Sequence, residues 1–191
     1  MARVKTAALA VLLLVCTPAV ARAHGDPASD DLLVRDVFLK AGVDAGVKAK
    51  LSRAIRAAAE DGFHIKVAII GSRADLGTEV SLFGNAQKYA ELLGLELASD
   101  YRTRVLVVMP NGFGYSIAGK RDAAGIRVVK RLAAPGGNPT KQVEAAGAAV
   151  RKLAVATASG GASQTRDRIT IAAGAVALAA LLAAIVLWRR A

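Results

Sequence analysis

Residues 169–188 carry no charged side chain and no proline over twenty consecutive positions. At about 1.5 Å of rise per residue, such a stretch as a helix spans about 30 Å, the hydrocarbon thickness of a bilayer. The competing explanation is a buried core helix. It fails because no face of the segment is polar and a chain of 191 residues has no core wide enough to surround it. Trp188 stands at the end of the run, where an indole keeps one wet edge, and Arg189 and Arg190 follow. The expectation is a single C-terminal transmembrane helix over 169–188, with the lipid bilayer as its partner. The run also explains how a chain with 4% aromatic residues reaches 54% apolar composition and a mean hydropathy of +0.39.

The other end has the three parts of a secretory signal. Arg3 and Lys5 form a basic start, Ala7 to Cys16 an apolar run too short to span a membrane, and Pro18 breaks it. Ala21-Arg22-Ala23 then offers small residues at the two positions a signal peptidase reads, so cleavage is expected after Ala23. Cys16 follows an apolar run as a lipidated cysteine would, but Val15 stands where that signal wants a small residue. Together the two ends predict a single-pass membrane protein with residues 24–168 outside the cytoplasm and 189–191 inside, as the positive-inside bias prefers.

The formal net charge of +11 is unevenly spread. Residues 24–119 hold 11 basic and 12 acidic side chains, whereas 120–168 hold 10 basic and 3 acidic ones. The positive third is therefore the one nearest the membrane. A solvated helix face accounts for it; attraction to anionic headgroups is the sharper alternative. The basic balance suggests nucleic acid, but export denies it and the stretch lacks interleaved aromatics for base stacking. A lone cysteine excludes a disulfide framework and a cysteine-built zinc site.

Within the exported part, residues 24–33 hold Gly, Pro, Ser and acids and are expected to be a flexible start to a domain over 34–157. Imperfect alternation over 34–39 suggests a first strand. From Asp44 the period becomes helical, with Val47, Leu51, Ala54, Ile55 and Ala58 on one stripe and Gly62 as the stop. A buried strand over 65–70 follows, then a long loop over 71–84, and a helix over 85–97. An apolar strand over 105–109 meets Pro110-Asn111-Gly112 and resumes over 113–118. Asn-Gly predicts a tight hairpin with Asn111 and Gly112 at its centre. The stretch 125–132 fits strand or helix. Asn138 caps a last helix that has Pro139 at its first position and buries Val143, Ala146, Val150 and Leu153. A small polar linker over 158–168 leads to the membrane. This order predicts an α/β fold, a small mixed sheet flanked by helices as an αβα sandwich.

Several residues invite chemistry. Gly112-Phe113-Gly114 lacks the third glycine of a dinucleotide fingerprint and sits in a hairpin, and no phosphate loop of the GxxxxGK[ST] kind is present. His64 stands just before a buried strand, where an edge histidine is the plainer reading than a catalytic base. His24 would become the new N-terminus, where amine and imidazole can chelate copper, but a usable site needs further ligands. Arg73, Asp75 and Glu79 lie on the loop after a strand end, the rim where open α/β sheets hold ligands, and are the candidate binding residues. Calcium wants about 6–8 oxygen ligands, and two acids beside an arginine make a poor cage. Asp30, Asp31 and Asp36 add oxygens only where the first strand lies close. A solvated loop salt bridge is the plainer account.

Residues 34–119 resemble the TPM-type domain, through Ala58-Ala59-Glu60-Asp61-Gly62, the strand 65–70, Tyr89-Ala90 with Leu92-Leu93-Gly94, and the run from Val105 to Tyr115 through Pro110-Asn111-Gly112. The order of signal, domain, linker and one spanning helix is similar too. The resemblance implies an exported, membrane-tethered α/β domain, in some members an acid phosphatase or a calcium binder through acidic side chains, in others an assembly module. Here Lys40-Ala41-Gly42-Val43 stands where the family has an acidic residue before Gly and Leu, so no catalytic or metal residue carries over. Two functions of different class follow. One is a membrane-anchored binding or scaffold module for an envelope protein or component, without a cofactor. The alternative is a phosphatase-like hydrolase, calcium-dependent or not, which rests on the resemblance alone.

Overall fold

The computed structural model describes residues 26–39, 42–99 and 103–159 and builds them around one five-stranded sheet. Its strands are β1 (Val37–Leu39), β2 (Ile65–Ile69), β3 (Arg104–Met109), β4 (Gly112–Ile117) and β5 (Lys120–Arg121), side by side in chain order. The first three run parallel and the last two turn back as an antiparallel meander. The helices are α1 (Pro27–Val34), α2 (Ala45–Glu60), α3 (Ala86–Glu96), α4 (Ala123–Lys130) and α5 (139–159). A mixed sheet with helices on both faces is thus the architecture. The signal segment and the apolar run 169–188 lie outside the described residues. Among the described residues no helix is long and apolar enough to cross a membrane.

Alternation along the strands divides the interior in two. Ile65, Val67, Ile69, Leu106, Val108 and Tyr115 face α2, α4 and α5. Ala68, Ile70, Val105, Val107 and Met109 face α1 and α3. With both faces covered, β3 becomes an unbroken apolar run rather than an alternating one. The crossovers β1–α2–β2 and β2–α3–β3 step in the same direction across the sheet, yet α2 and α3 lie on opposite faces. One of the two is therefore left-handed, against the strong preference for right-handed βαβ units.

Local chemistry sets the helix starts, as expected at Asp44 and Asn138, whereas Asn85, expected within its helix, caps it instead. Asp44 accepts the N–H groups of Gly46 and Val47, Asn85 that of Lys88, and Asn138 that of Lys141. Residues 125–132, open between strand and helix, fall mainly in α4, whose start Asp122 caps through the Gly125 N–H. The last helix runs through 159, so Ala158 and Ser159, assigned to the linker, are helical.

Three expectations are corrected. The supposed flexible start holds α1, because Pro27 opens a helix, Asp26 caps it, and Ala28 and Leu32 are buried in the core facing α3. The first strand shrinks to Val37–Leu39, since Val34 still belongs to α1. In the hairpin, Met109 pairs with Gly112, so the central residues are Pro110 and Asn111 rather than Asn111 and Gly112. Asn111 does not have a positive φ; its amide nitrogen instead donates to the Gly84 carbonyl, and the Pro110 carbonyl accepts from Gly136. Proline presets φ for a first turn position, and this tertiary bonding holds the second. The turn with both φ values positive comes one strand later, at Ala118 (φ 49°) and Gly119 (φ 71°) between β4 and β5.

Helix α3 sits unusually close to β4. A Cβ on Gly114 would fall 1.9 Å from the Ala86 carbonyl oxygen, and one on Gly94 would fall 2.5 Å from the Gly119 nitrogen. The same contact is bonded as well as close. Ser116 Oγ donates to the Ala90 carbonyl, and the Gln87 amide both accepts from the Tyr115 N–H (3.1 Å) and donates to its carbonyl (2.9 Å). Gln87 thus acts as a strand partner where the short β5 has ended. Gly114→Ala should cost about 3 kcal/mol in urea melts, because backbone rather than a flexible side chain blocks the methyl group. Gly112→Ala, with open space but φ 148°, should cost about 1–2 kcal/mol. Ala118→Asn should stabilise by about 0.5–1 kcal/mol in the same assay by relieving a left-handed alanine.

Candidate functional site

The loop after β2 carries the three residues singled out from the sequence, and their geometry is architectural. Asp75 is buried, and its Oδ2 accepts the N–H groups of Gly71 (2.9 Å) and Ser72 (2.8 Å), closing a capping box on a single 3-10 turn, Arg73–Leu76. An oxygen held by two N–H donors is not a cation ligand. Glu79 is partly buried and accepts from Thr78, and its charge acts on Asp26. Arg73 is exposed, its guanidinium 6.0 Å from the centre of the Phe83 ring. Among the described residues no three of His, Cys, Asp and Glu stand close enough to hold a metal ion. Asp30, Asp31 and Asp36 do not join these acids either. Asp31 pairs with Arg35 and Asp36 with Lys66 at the other end of the sheet.

That other end, the amino edge of the parallel strands, holds a cavity of about 580 Å³. Its wall is apolar, from Leu32, Ile55, Ala59, Ile65 and Leu97, and its polar groups come from the first residues of the strands: Asp36, His64, Lys66 and Arg104. Arg104 is the most constrained of them. Its guanidinium lies over the Phe63 ring at 4.7 Å, and its charge acts on the Tyr115 hydroxyl. Among the described residues its buried Nε has no hydrogen-bond partner and no carboxylate pairs with it. Burial, with the charge of Asp122 added, pushes the Tyr115 hydroxyl up to about 12 despite Arg104, so it stays a neutral phenol. Lys66 Nζ donates to the Arg35 carbonyl (2.9 Å) and lies 3.5 Å from Asp36. A second hollow along β1, bounded by Arg35 and Arg56, adjoins the first through Asp36, Ile55 and Ala59. An apolar wall with a few convergent cationic donors suits a ligand that is apolar along its length and anionic at one point.

This site was hidden in the sequence. Phe63, His64 and Lys66 open β2, and Arg104 opens β3, some forty positions later; only the parallel register Ile65↔Arg104 brings them together. The one local signal was an arginine directly before an unbroken buried strand. No protein-family model, no curated protein and no solved structure matches the chain.

A second buried polar centre lies between α1 and α3. The Tyr89 hydroxyl donates to both oxygens of Asp26 (2.7 and 2.9 Å), which also accepts the Ala28 N–H. Burial raises the Asp26 carboxyl above its ordinary value of 3.8, the hydrogen bonds from Tyr89 and the Ala28 and Ser29 backbone oppose this, and the charge of Glu79 adds to it. Burial first, and the adjacent Asp26, hold the Tyr89 hydroxyl far above its own ordinary range. The folded protein therefore binds the Asp26 proton more tightly than the unfolded chain. Below 3.8 both states are protonated and this contribution is fully present; it is lost as pH rises towards and through the folded value. Urea midpoints should show this component of stability falling as pH climbs from about 4 towards neutral. Asp26→Asn, which keeps an acceptor for Tyr89 and remains a good helix cap, should remove that component, whereas Asp26→Ala should cost about 1–2 kcal/mol.

Proposed function

We propose that this chain is an exported, membrane-anchored binding module of the TPM-like kind, serving an envelope protein or component. Its ligand is taken at the amino-edge cavity rather than on the loop of Arg73, Asp75 and Glu79. The observation that carries this reading is the Arg104 side chain, which lines a largely apolar cavity and has no carboxylate partner among the described residues. A cation on an apolar wall without a paired carboxylate favours a ligand that brings an anionic group. The anchored topology is supported by the composition of residues 1–23 and 169–188. The TPM-like reading is supported by the order strand, helix, strand, helix, hairpin over 34–119.

A hydrolase needs a nucleophile and a base, or a metal, in mutual reach. Asp75 is committed to backbone N–H groups and His64 is exposed with no hydrogen-bonding partner among the described residues, so no observation favours the phosphatase reading. The purified full chain should not turn over a chromogenic phosphate ester, with or without calcium. It should retain an envelope component after mild cross-linking, and lose it when Ala59→Phe fills the cavity or Arg104→Gln removes the charge. Turnover abolished by Asp75→Ala or Glu79→Ala would reverse the assignment.

A further inference from the structure

Large apolar side chains exposed to solvent are few among the described residues, and four of five gather at one end. Leu33 (54% exposed) lines the cavity and Val34 (79%) ends α1 beside it. Leu95 (62%) lies against Gly119, in the turn that follows Ile117, the partner of Arg104 at the amino end of β3. Val155 (66%) is near the last described turn of α5. Only Val80 (45%) lies elsewhere, on the loop beyond the carboxyl end of β2.

Helix α5 leads to the same end. It starts beside the β3–β4 hairpin, where Gly136 bonds Pro110, and next to Gly71, which Gln142 approaches. Its buried stripe follows the sheet as far as Leu153. At about 1.5 Å per residue, residues 139–153 cover about 21 Å, the length of β3, so the residues after Leu153 project past the amino edge. Nine residues, 160–168, then separate α5 from the uncharged run 169–188. Fully extended they reach about 30 Å, so the end of the domain at which α5 finishes is the one held next to the membrane by the shortest path.

We propose that the amino edge of the sheet is a lipid-binding face: it rests on the outer surface of the bilayer that anchors the chain, and its cavity takes an anionic phospholipid from that surface. Leu33, Val34, Leu95 and Val155 enter the interfacial layer as scattered apolar contacts. Arg104 and Arg56, neither paired with a carboxylate among the described residues, meet the phosphate, and the wall formed by Ile55, Ala59 and Leu97 accepts part of an acyl chain. Asp36, paired with Lys66 in the cavity lining, and Glu60, Asp61 and Glu96, exposed at the ends of α2 and α3, oppose the approach, so binding rests on the arginine–phosphate attraction and weakens as salt screens it. The proposal rests on the anchored, cavity-binding reading above and names its ligand.

The test uses the full chain in nanodiscs of phosphatidylcholine alone or mixed with phosphatidylglycerol. Single cysteines carrying a fluorophore replace Val34, Leu95, Val155 or Val80 in a Cys16→Ser background, and a lipid with a spin label high on its acyl chain serves as quencher. Quenching several-fold stronger at 34, 95 and 155 than at 80, greater with phosphatidylglycerol and reduced by salt, is the expected result. A photoactivatable phosphatidylglycerol should cross-link to the α2 segment around Ile55, and Ala59→Phe or the pair Arg56→Gln and Arg104→Gln should reduce that product several-fold. Equal quenching at all four positions in a chain that has entered the nanodisc would overturn the lipid-binding face and leave the anchor intact. Cross-linking indifferent to Ala59→Phe and to both arginines would overturn the cavity's part in it. A chain that never enters the nanodisc would instead refute the anchored reading.

Discussion

Strand β3 imposes the constraint on which the rest of this domain depends. Val105 to Met109 are all completely buried, so the strand needs a neighbour on each side for its backbone and a helical layer on each face for its side chains. Strands β2 and β4 provide the first, and the two helical layers the second. Helix α2 lies on one face and α3 joins α1 on the other, and that division gives one crossover the rare left-handed sense. The close, glycine-permitted contact of α3 with β4, tied by Gln87 and Ser116, secures the layer that the less common path requires.

The two ends of the parallel strands are treated differently. At the carboxyl end, Leu76 is buried, Asp75 ties its own loop, and Gln142 and Pro110 hold the segment around Gly136. Most polar groups there bond one another, although the buried Gln142 Oε1 beside Gly71 has no hydrogen-bond partner among the described residues. At the amino edge, the side chains between α1 and α2 leave a hollow whose arginine is stacked on Phe63 and, among the described residues, paired with no carboxylate. Ligand sites in open α/β sheets usually lie at carboxyl ends, because that is where loops leave a crevice. Here the crevice lies at the opposite end.

The sheet's own edges are also kept from pairing with other chains. On one side β1 has only three residues, and Lys66 reaches across to the Arg35 carbonyl just before it. On the other, β5 has two, both exposed and basic, and the Gln87 amide satisfies the Tyr115 backbone beyond its end. Short strands, lysine and a side-chain substitute for a strand are recognised ways of blunting edges. Glu91 accepts from Gln87 and lies 3.3 Å from Arg121, so the same α3 surface holds both the strand end and its charge.

The apolar periods and the helix caps were legible in the residues because both are local. Leu51, Ile55 and Ala58 share a face whatever lies opposite, and Asp44 and Asn138 bond N–H groups two or three positions away. Features that rely on distant partners were not legible. Helix α1 exists because its apolar residues find a core and Tyr89, 63 residues on, bonds Asp26. The hairpin centres on Pro110 and Asn111 because Gly84 and Gly136 bond those residues, which moves the turn one position from where Asn-Gly alone would set it. Asp75 looked like a rim carboxylate until its loop folded back on it. The cavity's cations come from separate strand starts, and only their parallel register, fixed by burial of β2 and β3 on both faces, sets them side by side.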